Sequence, residues 1–171
     1  PSNPVGYTPS LNECKQLIDV IRSAKKPLVI LLDEAYKGME WDDGCIKHSL
    51  IQELSSLEPE RFLVLKIDGA TKEMFFFGGR IAFMTFVCGP EAAAILEEKV
   101  IASIRSSVSA LPSPSQAMMI KALKSPKLDA EVAEIRAMLK ERYLCLKDIL
   151  ESSSLTHWKF NSAFFVLIDT P

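Results

Sequence analysis

Four side chains in this 171-residue chain have types and spacings that could do chemistry together. Lys72 follows the apolar run 61–67 (RFLVLKI) across three small residues, Gly69, Ala70 and Thr71, and precedes the aromatic and glycine-rich stretch 73–79. An amine held in partly apolar surroundings can act as a nucleophile toward an aldehyde. On a solvated surface it is one more cation. Asp33 ends a second apolar run, 27–32 (PLVILL), with Tyr36 three residues further on. A carboxylate there is either an ordinary turn residue or the partner of a protonated pyridine nitrogen, whose ring can drain electrons from a carbanion. The Tyr36 hydroxyl, one short turn away, could then hydrogen-bond a phenolic oxygen on the same ring. Arg80 stands eight residues after Lys72. It is either an arginine snorkelling from a sheet edge or a planar, permanently charged fork for a phosphate.

Elements to hold these residues can be read along the chain. Thr8-Pro9-Ser10 offers capping oxygens to a helix in which Leu11, Cys14, Leu17, Ile18 and Ile21 recur at helical spacing, with Lys25-Lys26 at its end. Residues 27–32 read as a strand buried on both faces. Residues 37–44 (KGMEWDDG) read as a loop, 45–57 as a short helix, and 61–67 and 80–87 as two further strands. Gly89-Pro90-Glu91 opens a helix to about Ser109, which 111–115 (LPSPS) breaks. Helices follow over 115–124 and 128–152, the second with Val132, Ile135, Leu139, Tyr143, Leu146 and Ile149 on one face. Residues 160–168 return as a strand. Strands alternating with helices imply an α/β fold with a mainly parallel sheet. Ligands of such sheets sit beyond the carboxyl ends of the strands, where Asp33 and Lys72 fall.

Composition narrows the classes. The chain is 48% hydrophobic, enough for a core, and carries a formal charge of −2 from 20 basic and 22 acidic residues. That balance speaks against a nucleic-acid partner. No apolar run approaches the roughly 20 residues that span a bilayer, and no secretory leader is legible at the start. Cys14, Cys45, Cys88 and Cys145 are scattered, with no CxxC pair. They imply reduced thiols in a cytoplasmic protein, with neither a zinc site nor a disulfide framework. His48 and His157 lack ligand spacing to another His or Cys, so no metal is expected. Trp41, Trp158 and Tyr143 read as packing residues.

Four stretches in register resemble the class I/II aminotransferases, the aspartate-aminotransferase type of fold type I pyridoxal-phosphate enzyme. Asn3-Pro4-Val5-Gly6 is similar to that family's Asn-Pro-Thr-Gly turn, and Asp33-Glu34-Ala35-Tyr36 to its Asp-x-x-Tyr. Lys72 with Gly79-Arg80 is similar to its Lys, Gly and Arg pattern. Asn161-Ser162-Ala163-Phe164-Phe165 looks like the opening of its small-domain strand. The resemblance covers essentially the whole chain. It implies that Lys72 carries pyridoxal 5'-phosphate as a Schiff base and shuttles the proton between substrate and cofactor carbons. It also implies that Asp33 pairs with the ring nitrogen, Asn3 and Tyr36 hydrogen-bond the 3-oxygen, and Arg80 binds the phosphate. Val5 departs from the usual Thr, and Gly69 stands where many members carry a phosphate-binding Ser.

The same resemblance implies that residues 1–111 belong to the large cofactor-binding domain, and that 112–171 form a linker helix and the beginning of an α+β small domain. Both ends look cut. The family's phosphate-cupping turn and ring-stacking aromatic lie upstream, and its substrate-carboxylate arginine lies downstream. An internal fragment, inactive alone, is therefore expected. The intact protein would be a cytoplasmic homodimer in which 106–112 approaches the partner's site, exchanging an amino group between an amino acid and a 2-oxo acid. Two alternatives stay open: another carbanion reaction such as C–S β-elimination, and a non-catalytic sensor domain of a transcription regulator.

Overall fold

A computed structural model describes residues 1–110 and 112–170. Leu111, at the expected domain limit and in the expected partner-facing segment, lies outside the described residues. The elements run α1 (Leu11–Arg22), β1 (Leu28–Asp33), α2 (Ile51–Leu54), β2 (Phe62–Gly69), α3 (Ala70–Glu73), a 3₁₀ turn (Phe77–Gly79), β3 (Ala82–Val87), α4 (Pro90–Ser107), α5 (Ser113–Leu123) and α6 (Leu128–Ser152). The architecture is α/β. Three strands lie in the order β1-β2-β3.

Two compact units interleave along the sequence. One comprises residues 18–35 and 50–125. The other comprises 1–17, 36–49 and 126–171.

The first unit holds the sheet. β2 is central, parallel to β1 and antiparallel to β3. The expected mainly parallel sheet is thus a mixed one among the described residues. The β2–β3 link is short enough to turn the chain back through α3 and the 3₁₀ turn, whereas a parallel neighbour needs a long crossover. The core gathers Ile18, Leu54, Leu57, Phe62 and Val64, with Ile30 and Leu32 packed against it. β1 differs from expectation. Val29 and Leu31 are 70% and 57% exposed, so one face of the strand is covered and the other bare. A continuous apolar run signals two covered faces. Here the strand is a sheet edge, and α1 and α2 supply residues to the core on one side only.

The second unit is built on loops and the long helix α6. The expected helix over 45–57 shrinks to the single turn of α2. Its first residues bond elsewhere: Ile46 N donates to Pro9 O at 2.9 Å and Cys45 N to Asp42 O at 3.2 Å. The expected strand over 160–168 forms only isolated bridges, Glu40 to Ser162 and His157 to Ile168. Ala163 takes a φ of 63°, which interrupts any extended run. Tyr143 is core, as expected, and donates to Asp42 Oδ1 at 3.0 Å. Trp41 is buried, but Trp158 is 54% exposed and hydrogen-bonds Asp169 instead of packing. α1 begins with a reciprocal cap. Ser10 N donates to Glu13 Oε2 at 2.8 Å and Glu13 N to Ser10 Oγ at 3.3 Å. Among the described residues no helix is long and apolar enough to cross a membrane.

Candidate active site

Sheet register gathers three of the five expected residues at one end of the sheet. Asp33 is the last residue of β1 and stands opposite Ile67 of β2. β2 ends at Gly69, and Lys72 follows within α3. β3 starts at Ala82, opposite Gly69, and Ala70 N donates to Ile81 O at 3.2 Å. Arg80 therefore enters beside the end of β2. A carboxylate, an amine and a guanidinium thus belong to the same end of the sheet, where two parallel strands finish and such sheets hold ligands.

Local chemistry explains each placement. Asp33 Oδ1 accepts from Ala35 N at 3.0 Å, closing a turn that stops the strand. Lys72 is half-buried, with Nζ 4.9 Å from the centre of the Phe77 ring, an attraction of ammonium for the ring face. The aromatic stretch reverses the chain at Phe75, with a φ of 54°, and at Arg80, with a φ of 52°. Gly79 has a definite reason: a Cβ there would lie 2.3 Å from the Phe76 ring. Arg80 is exposed and borders a groove between β3 and α4.

The other two residues meet in the second unit. Asn3 Nδ2 donates to Tyr36 Oη at 3.0 Å. In that bond the Tyr36 oxygen is the acceptor. The Tyr36 ring stands edge-on to Phe164 and Phe165, with centroids 5.9 and 5.2 Å away. Asn3 sits in a turn closed by Ser2 N to Tyr7 O and Gly6 N to Ser2 O, both 2.8 Å, with a cis Asn3–Pro4 bond. Gly6 has a φ of +73°, and a Cβ on it would lie 2.3 Å from Phe165 O. Val5 carries none of this, so its departure from Thr leaves the turn intact.

Sequence reasoning missed Lys66. Burial alone would lower its pKa, but Asp68, Glu34 and Glu73 outweigh that and raise it. Its Nζ lies 2.9 Å from Asp68 Oδ1 and 3.7 Å from Glu34 Oε2, so Lys66 is held as a cation. A charged residue inside the apolar run 61–67 was the available signal, since a lysine there needs a carboxylate partner. Among the described residues no disulfide joins the four cysteines, and burial pushes the Cys45 thiol upward. Among the described residues no three His, Cys, Asp or Glu gather as a metal would require.

A family model described as "Aminotransferase class I and II" matches residues 1–171. The chain belongs to this family, whose members are generally pyridoxal-phosphate-dependent. Among solved structures, an aminotransferase from Anaerococcus prevotii superposes with a TM-score of 0.85 at 22% identity, over 99% of this chain and 43% of that one. An aromatic aminotransferase from Pyrococcus horikoshii gives 0.77 at 22% identity, over 97% and 41%. An alanine aminotransferase from Pyrococcus furiosus gives 0.72 at 24% identity, over 100% and 42%. At such identities the likeness is one of fold, and this chain spans roughly two fifths of those proteins. No curated protein matches.

Proposed function

We propose that this chain is part of an aminotransferase that exchanges an amino group between an amino acid and a 2-oxo acid on pyridoxal 5'-phosphate. The observation that carries this reading is the register that brings Asp33, Lys72 and Arg80 to one end of the sheet. The donor set suits the cofactor: an amine for its aldehyde, an anion for its ring nitrogen, a guanidinium for its phosphate, and an amide–phenol pair for its 3-oxygen. When bound, the cofactor supplies an electron sink that stabilises negative charge on the substrate carbon.

In this reading Lys72 Nζ would hold the cofactor covalently, and its amine would be the group that carries a proton between substrate and cofactor carbons. Asp33 keeps the ring nitrogen protonated by its negative charge. Asn3 and Tyr36 would hydrogen-bond the 3-oxygen, and Arg80 would bind the phosphate. Lys66 is unsuited to the role of Lys72, because Glu34 and Asp68 hold its proton. We further propose that residues 1–111 belong to the large cofactor-binding domain of a longer protein and 112–171 to the linker and small domain. That protein would be a cytoplasmic homodimer, and this chain alone would be inactive.

The test is to supply the longer protein with pyridoxal phosphate, a panel of amino acids and one 2-oxo acid. Conversion that strictly requires the 2-oxo acid is expected. Release of pyruvate from cysteine-type substrates with no acceptor would replace transamination by β-elimination. Cofactor binding without either reaction would favour a sensor.

A further inference from the structure

Three polar side chains are buried among the described residues of the chain: Thr8, Asn161 and Ser162, exposed by 4%, 9% and 0%. They bond to one another across more than 150 positions of sequence. Thr8 Oγ1 donates to Ser162 Oγ at 2.9 Å, and Ser162 Oγ donates on to Gly6 O at 3.0 Å. Thr8 N donates to Asn161 Oδ1 at 2.8 Å, and Asn161 Nδ2 donates back to Thr8 O at 2.9 Å. Two more donors, Asn161 N and Ser162 N, reach Gly6 O at 2.9 and 3.0 Å. One edge of segment 161–163 is thus fastened to the turn that carries Asn3.

The other edge is fastened to the chain just after Tyr36. Ala163 N donates to Met39 O at 2.8 Å. Asn161 O accepts from Trp41 N at 3.3 Å and Asp42 N at 3.2 Å. Ala163 O accepts from Trp41 Nε1 at 2.6 Å. Asn3 and Tyr36 come from segments with no ladder between them, and 161–163 is bonded to both. A buried hydroxyl relay accepts one geometry, because each misdirected bond leaves a buried polar group unpaired. Apolar packing in the same place would tolerate a slip, and a displacement of about 1 Å is enough to matter at a reacting centre.

We propose that Thr8 and Ser162 are positioning residues for the Asn3–Tyr36 pair, their hydroxyls fixing the Asn3 turn on segment 161–163 so that Asn3 Nδ2 stays on Tyr36 Oη. The functional value of that position rests on the reading of Asn3 and Tyr36 as cofactor ligands. The hydroxyls themselves touch neither cofactor nor substrate.

The first readout needs no cofactor. In a nitrogen-15 spectrum of the chain, the Asn3 side-chain amide is followed in Thr8→Val, Ser162→Ala and Thr8→Ser. Trp41 Nε1–H, bonded to Ala163 O, reports that the unit stays folded. Thr8→Val and Ser162→Ala shift the Asn3 amide toward the position of a free asparagine, and Thr8→Ser, which keeps the hydroxyl, restores it. An Asn3 amide unmoved by both hydroxyl losses, or moved equally by Thr8→Ser, overturns the proposal. If Thr8→Val unfolds, Ser162→Ala alone decides.

The second readout is the pH titration of the cofactor's absorbance in the loaded longer protein. Asn3→Ala raises the midpoint by about one pH unit, the loss of one hydrogen bond to a charged oxygen. Thr8→Val raises it by less, and adds nothing in the Asn3→Ala background. Full additivity would make Thr8 merely structural and refute the proposal. Should wild-type protein take up no pyridoxal phosphate while the Asn3 amide still follows Thr8, the proposed function fails and the positioning stands.

Discussion

Replacing Gly6 by Ala probes the turn that carries Asn3. Gly6 sits at φ +73°, where an L side chain costs about 1–2 kcal/mol in crowding against its own backbone. The added Cβ would also lie 2.3 Å from Phe165 O, a backbone atom that cannot swing aside. Relief requires moving the turn, and Gly6 O accepts from Asn161 N, Ser162 N and Ser162 Oγ. Loosening one or two of these bonds adds about 1 kcal/mol each. The expected loss for Gly6→Ala is therefore about 2–4 kcal/mol. Two internal comparisons calibrate it. Gly38 also has positive φ, +86°, but its Cβ would meet the end of the Arg136 side chain, which can shift. Gly38→Ala should cost about 1 kcal/mol, from the backbone alone. Gly44 has nothing within 4 Å, so Gly44→Ala should fall within about 0.5 kcal/mol of wild type. Urea unfolding followed by tryptophan fluorescence measures all three, because Trp41 and Trp158 lie in the same compact unit as these glycines. A Gly6→Ala chain as stable as Gly44→Ala would refute the reasoning.

Acid should weaken the start of α1. Backbone and side-chain hydrogen bonds from Ser10, then one from Tyr7, lower the Glu13 pKa from 4.5 to about 2. A depressed folded pKa means that the cap contributes above pH 4.5 and is lost as pH falls toward 2. Helical circular dichroism should fall across that window and Glu13→Gln should flatten the fall; an unchanged acid profile in the variant would contradict it. In the sheet unit, Leu54 is 2% exposed and Leu31 57%. Leu54→Ala should cost about 2–5 kcal/mol and Leu31→Ala less than about 1, read by thermal unfolding in circular dichroism; equal losses would mean that the bare face of β1 is covered in solution.

Much of the fold was legible where local signals agree with packing. Pro90 after Gly89 opens α4, and the apolar stripe of α6 delimits it within the bounds expected, whereas α5 starts at Ser113, inside the stretch read as a breaker. The strand-end placement of Asp33 and Lys72 was legible because each lies where an apolar run ends abruptly. What was not legible depends on partners far along the chain. The exposure of Val29 and Leu31 reflects what covers β1, not its composition. Residues 160–168 have strand-forming types, yet their backbone groups are claimed by residues 6, 39, 41 and 42. Thr8, Asn161 and Ser162 look like surface residues in sequence, and only pairing across the chain reveals them as a buried network. Lys66 could have been found, because a cation in the middle of an apolar strand demands a carboxylate.

The central claim is that Lys72 is the lysine that holds the cofactor. It is tested most directly by loading the longer protein with pyridoxal phosphate, reducing it with borohydride and mapping the modified peptide. The account predicts a pyridoxyl group on Lys72 Nζ and none in Lys72→Ala. A label on Lys66, or labelling undiminished in Lys72→Ala, would contradict it.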